Sequence, residues 1–220
     1  MARSRNVAAV RTAYQTGIDN VVELANNLGI TNDLPRYLPT AIGAADVKII
    51  DMARAFAAFF RNGIDKPYWF LERIKKNNEN RDVVPRDEKQ VLSSEAASKV
   101  LEGMRWVVLA GTARSAAKEL PFAVAGKTGT TNGFTDAWFI GGTPKYVIAV
   151  WIGFDRKAIP LVSRESSFKE TGGSAALPVF IEIMKVLYQN RPYDGFPEEI
   201  ENRILGIKNV KPADPEPSRD

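Results

Sequence analysis

The residues best suited to chemistry lie in one short stretch, Ala125-Gly-Lys-Thr-Gly-Thr-Thr131. A lysine on a strand beside glycine lets a ligand backbone approach closely while supplying a fixed cation. That combination suits a carboxylate-bearing or peptide-like substrate. A second polar group, Ser4-Arg-Asn6, opens the chain just before a helical pattern. There a polar residue is first of all a helix cap, and Asn6 can serve as a cap and as a ligand contact together.

The composition narrows what these residues could do. The 220 residues contain no cysteine and no histidine. Thiol nucleophiles, thiolate or imidazole metal sites, disulfides and every Ser–His–Asp arrangement are thereby excluded. Covalent catalysis must use Ser, Thr, Lys or a carboxylate, and neither a metal nor a cofactor is expected. Gly-Lys-Thr also occurs in phosphate-binding loops. Here Pro121 stands where the earlier glycine is required, and a turn and strand follow where that loop needs a helix.

The elements that must position these residues follow from periodicity. Val7, Val10 and Tyr14 recur at helical spacing after Asn6, with Gly17 as a stop; Asp19 is the expected cap for Val21 to Leu28, closed by Gly29. Residues 44–60 predict an amphipathic core helix with Ile50, Ala53, Ala57 and Phe60 on one stripe. The segments 68–74 and 82–84, flanking a polar run, read as a hairpin. Ser93 or Ser94 opens a helix whose buried face is Val100, Leu101, Met104 and Val108, with Gly111 past its end.

From Phe122 the period changes to that of strands. Residues 122–130, 136–140 and 146–154 are separated by Asn132-Gly133 and by Gly141-Gly-Thr-Pro144, which predicts an antiparallel meander. The third strand is apolar nearly throughout, so it should be covered on both faces or paired on both edges. A last helix spans 175–188, with Ala176, Phe180, Ile183 and Leu187 at helical spacing and Pro178 near its first turn. The expected organisation is one unit over 1–207 and a flexible Pro-rich tail over 208–220.

The hydrophobic fraction of 45% and charged fraction of 25% are those of a folded globular chain. The net charge of +4 is spread along the chain, with no Arg/Lys cluster of the kind that binds nucleic acid, so no nucleic-acid partner is expected. No apolar run reaches the roughly 18 residues needed to cross a membrane, and no signal-type stretch follows Met1.

In combination the motifs are recognisable. Ser4-Arg-Asn6 at a helix start with Lys127-Thr-Gly-Thr130 on a strand resembles the second and third motifs of penicillin-binding transpeptidases and serine β-lactamases. Gly43-Ala-Ala-Asp-Val47 leading to Asp51-Met-Ala-Arg-Ala55, Thr135-Asp-Ala-Trp-Phe139 and Val150-Trp-Ile-Gly-Phe-Asp155 are similar to the transpeptidase domain of class A (bifunctional) penicillin-binding proteins. The resemblance covers residues 2–188.

It implies an α+β fold, an antiparallel sheet flanked by helices, and a serine acyl-enzyme mechanism that cross-links peptidoglycan stem peptides ending in D-Ala-D-Ala and is captured by β-lactams. Carried over by position, Ser4 would relay a proton to the leaving amine. Lys127 would hold the Ser4 hydroxyl and supply positive potential, Asn6 would bind the substrate amide, and Thr128, Gly129 and Thr130 would bind the substrate carboxylate and the extended peptide, with the Thr130 N–H in the oxyanion hole.

The family's nucleophilic Ser-x-x-Lys precedes Ser-x-Asn by tens of residues, yet only three residues precede Ser4. The expectation is therefore an N-terminally truncated chain lacking the acylated serine. Ser115-Ala-Ala-Lys118 and Ser166-Ser-Phe-Lys169 match the pattern out of order and read as chance matches. The membrane anchor and periplasmic or extracytoplasmic placement would belong to upstream sequence. The alternative is a noncatalytic remnant that binds stem peptide or a protein partner. Additional strands in the resembled sheet come from sequence before the nucleophile, so the edge of 146–154 should be open to self-association.

Overall fold

The computed structural model describes residues 1–76, 79–83, 88–155, 159–163 and 167–208. Helix α1 (Asn6–Thr16) ends at Gly17, whose φ of 87° suits glycine, and α2 (Ile18–Asn27) follows directly. The caps differ from expectation. Arg5 holds the N-cap position of α1 and Asn6 is its first helical residue, while Asp19 lies inside the first turn of α2 and accepts from Arg36 at 2.7 Å.

A 3-10 helix over Leu38–Ile42 occupies the proline-marked connection, and α3 runs over Ile49–Phe60. This helix starts later than the pattern suggested. Its buried face is Asp51, Ala55, Ala58 and Phe60, leaving Ile50, Ala53 and Ala57 half-buried. Asp51 explains the rotation: its fully buried Oδ2 accepts from Thr31 N at 3.2 Å and Thr31 Oγ1 at 2.6 Å. A buried carboxylate needs such donors, and they lie on the face that apolar periodicity assigns outward.

Short strands β1 (Ile64–Asp65) and β4 (Lys89–Gln90) pair antiparallel, as do β2 (Arg73–Lys76) and β3 (Glu79–Asp82). The expected hairpin is present, with its strands shifted into the polar run; Val84 lies outside the described residues. Helix α4 (Ser94–Ala110) is capped by Ser93, which accepts from Ala96 N at 3.2 Å. Gly111 ends it, and α5 (Arg114–Glu119), not anticipated from the pattern, follows.

The meander is formed by β5 (Ala125–Thr130), β6 (Asp136–Gly142) and β7 (Val147–Gly153), in the order β5-β6-β7. Lys127 pairs with Ile140, Thr128 with Phe139 and then Val150, and Gly129 with Trp138 and then Trp151. The turn between β5 and β6 is fastened by Thr131 Oγ1, which accepts from Thr135 N and Asp136 N at 3.0 Å each. Among the described residues β7 pairs only with β6, and most of it is half-buried. Double pairing is not met among the described residues, whereas α3 and the later helix over Leu177–Tyr188 both pack against the strand.

A π-helical turn over Gly172–Ala176 leads into α6 (Leu177–Tyr188), so the expected start at Ala175 falls inside a different winding. Ile183 is exposed, and Phe180, Ile181 and Met184 carry the buried face. Helix α7 (Glu198–Lys208) has no counterpart in the sequence reading, and the tail beyond Lys208 lies outside the described residues.

Helices cover both faces of the sheet. Phe139 and Val150, one cross-strand pair, pack with Phe180, Ile181 and Met184 of α6, Val107 and Val108 of α4 and Ala116 of α5. On the opposite face Ala125 packs with Leu101 and Met104 of α4, Phe60 of α3 and Ile200 and Ile204 of α7, with Val147 beside them. Arg105, 5% exposed, locks this layer: it donates to Val124 O at 2.8 Å and to Glu201 at 3.1 Å. Strand β5 is thereby held between α4 and β6 with its lysine fixed in direction.

Candidate active site

The first four residues form a turn, Ser4 N donating to Met1 O at 3.0 Å, and this turn lies against the end of α4. Thr112 N donates to Ala2 O at 3.2 Å. A Cβ on Gly111 would stand 2.3 Å from that same oxygen, so only glycine admits so close an approach. The turn holds Ser4 at φ 49°, a left-handed conformation costing a non-glycine residue about 1 kcal/mol.

Ser4 so placed meets Lys127. Lys127 Nζ donates to Ser4 Oγ at 2.8 Å and to Thr128 O at 2.7 Å. Burial pushes the Lys127 ammonium below its ordinary value near 10.5. Two hydrogen bonds with neutral oxygens hold the cation, leaving positive potential at the Ser4 hydroxyl and a lysine easier to deprotonate than a solvated one.

The hydroxyls of β5 form the next part. Thr128 Oγ1 and Thr112 Oγ1 are 2.6 Å apart, and Thr130 Oγ1 accepts from Gly172 N at 3.0 Å. A hydroxyl whose oxygen already accepts keeps its proton for another partner. Thr130, exposed, is therefore prepared as a donor. Gly129 between them carries no side chain, and Gly172 approaches so closely that a Cβ there would stand 2.5 Å from Gly129 O. Glycines at 129 and 172 let the π-turn close against the strand.

Ser4, Lys127, Thr128, Gly129 and Thr130 therefore converge. Asn6 is exposed on the first turn of α1, two residues beyond Ser4. Thr112 and Gly172 were missed by sequence reasoning; the only local signals were a glycine past a helix end and the pair Gly172-Gly173. Among the described residues no group of three or more carboxylates could hold a metal ion. Ser115 and Lys118 share the short α5, with Lys118 exposed, and Lys169 is exposed over the Phe134 ring at 5.1 Å; Ser166 lies outside the described residues.

Residues 1–185 match the family model described as penicillin binding protein transpeptidase domain. Penicillin-binding protein 1A of Aquifex aeolicus is 33% identical over 215 residues, covering 97% of this chain and 28% of that protein. Its counterpart from Rickettsia typhi is 28% identical over 232 residues, covering 94% of this chain and 29% of its own length. The chain thus spans under a third of the curated relatives it matches.

Among solved structures, penicillin-binding protein 1A of Haemophilus influenzae aligns with a TM-score of 0.76 at 24% identity, covering 89% of this chain and 35% of that one. PonA1 of Mycobacterium tuberculosis in complex with penicillin V aligns with a TM-score of 0.66 at 24% identity, over 79% of this chain and 50% of that one. At such identities the alignments speak for the fold, and the fold agrees with the helix-flanked antiparallel sheet described above. Sequence motifs, architecture and family match coincide over most of the length: the chain belongs to the penicillin-binding protein transpeptidase domain family.

Proposed function

We propose that this chain is the C-terminal portion of a peptidoglycan DD-transpeptidase, a membrane-anchored, extracytoplasmic enzyme in its complete form. It binds stem peptides ending in D-Ala-D-Ala, and β-lactams in their place. The observation that carries this reading is the 2.8 Å contact between Lys127 Nζ and Ser4 Oγ, made by residues 123 positions apart. Nothing local would create it.

In this mechanism the substrate carbonyl is attacked by a serine from sequence preceding Met1. Ser4 Oγ passes a proton to the departing D-Ala nitrogen, and Lys127 holds that hydroxyl in line. Thr128 and Thr130 donate to the terminal carboxylate, Gly129 leaves room for the peptide along β5, and Asn6 takes the substrate amide. The Thr130 N–H serves the oxyanion. The penicillin V complex of the PonA1 relative supports β-lactams as ligands of this fold.

The test is labelling with fluorescent penicillin and peptide mass mapping, on the 220-residue chain and on the same chain joined to its upstream sequence. Labelling confined to the joined form, at an upstream serine, is the expected result. Failure of both forms to label favours the noncatalytic binding remnant.

A further inference from the structure

We propose that Thr112 is a positioning residue of this site, the joint at which the Ser4 turn, the Lys127 strand and the Gly172 turn are held in register. The inference rests on the transpeptidase reading for its significance, but its geometry is independent of any ligand. Thr112 touches all three walls. Its N–H donates to Ala2 O at 3.2 Å, its hydroxyl pairs with that of Thr128 at 2.6 Å, and its carbonyl oxygen lies 2.9 Å from where a Cβ on Gly173 would stand.

The local backbone explains why this residue is available. Gly111 N and Ala113 N both donate to Val107 O, closing the end of α4 around Thr112 and leaving the Thr112 N–H outside the helical ladder. That orphan donor must find an acceptor, and it finds the Ala2 carbonyl two residues before Ser4. Thr128 is 8% exposed, so its hydroxyl requires a partner within the protein. Either hydroxyl can donate in this pair; when Thr112 does, the Thr128 proton is left for a partner on the strand face that Thr130 shares. A merely structural threonine would satisfy one wall; Thr112 couples three.

Ligand-free 220-residue chain carrying Thr112→Val or Thr112→Ser tests this. Two quantities are followed by NMR: the titration midpoint of Lys127, and amide exchange at Ser4 and Thr112. Thr112→Val keeps the shape and removes the hydroxyl. It should raise the Lys127 midpoint toward its ordinary value and speed both exchange rates by about tenfold, whereas Thr112→Ser should keep both near wild type.

Unchanged midpoint and exchange in Thr112→Val overturn the proposal, as does a Thr112→Ser variant no better than Thr112→Val. Should Thr112→Val fail to fold, Thr128→Val removes the other half of the pair and must reproduce the shift, or the joint is refuted. Binding of an N-acylated D-Ala-D-Ala peptide to the unaltered chain is measured separately. Its absence counts against the transpeptidase reading and leaves the Thr112 result to be judged alone.

Discussion

Lys127 divides its ammonium between Ser4 Oγ at 2.8 Å and Thr128 O at 2.7 Å, so one cation ties the amino-terminal turn to the central strand. Its midpoint is lowered by burial, which makes the charge a cost to folding. The unfolded chain binds this proton more tightly than the folded one, so the Lys127 contribution to stability rises with pH through the window below 10.5 and is level above it. Lys127→Met removes that slope. Urea unfolding at a series of alkaline pH values should show wild type gaining on Lys127→Met as pH rises; parallel curves would refute the buried lysine.

Ser4 carries backbone strain as well as a hydrogen bond. Ser4→Ala keeps the strained conformation and loses the bond, whereas Ser4→Gly loses the bond and the strain together. Ser4→Gly should therefore be more stable than Ser4→Ala by about 1 kcal/mol, read from thermal unfolding. Equal stabilities would mean that Ser4 is not held left-handed in solution.

Gly126 is required by packing beneath the site. A Cβ there would stand 2.5 Å from Phe139 Cζ and 2.8 Å from Ile140 O, and Phe139 is fully buried against Phe180 with ring centroids 4.6 Å apart. Gly126→Ala should cost about 1–3 kcal/mol. Gly206 in α7 has nothing within 4 Å of the added carbon, and Gly206→Ala should instead stabilise by up to about 1 kcal/mol through helix propensity. Denaturant midpoints for the two variants give the comparison.

The unaltered chain, incubated with penicillin, should keep its intact mass. Among the described residues Ser115 makes no hydrogen bond with a lysine, and an unactivated serine is a poor nucleophile. A mass increase mapped to Ser115 or Ser166 would show that the out-of-order matches are not accidental.

Among the described residues the outer edge of β7 has no strand partner, and Trp151 on that strand is 39% exposed. Such an edge recruits strands from other molecules. Sedimentation should detect concentration-dependent self-association, weakened by Trp151→Lys, since an edge charge disfavours pairing. A chain that stays monomeric at every concentration would dispose of the idea.

Much of this molecule was legible locally. Gly17, Gly29 and Gly111 mark helix ends in the sequence and do so in the structure; Asn132-Gly133 and Thr143-Pro144 lie between strands that pair in the expected order, although Gly141 and Gly142, expected in the second turn, extend β6. These features depend on what a residue permits in its own backbone, which its type determines. The boundaries of α3 and the face it buries were not legible, because Asp51 is drawn inward by Thr31 across 20 positions. Helix α7 was missed for a related reason: its Ile200 and Ile204 become core only against Phe60 and Met104.

The site divides in the same way. Sequence alone predicted a strand through Lys127 to Thr130 and placed Ser4 and Asn6 at a helix start, since strand period, glycine and a polar helix entry are properties of neighbouring residues. Only the tertiary structure brought Ser4 to Lys127, Thr112 to Thr128 and Gly172 to Thr130. Each of those contacts joins residues from 16 to 123 positions apart. A hydrogen bond is decided by a few tenths of an ångström, and that precision comes from the packed core on both faces of β5, which no local pattern contains.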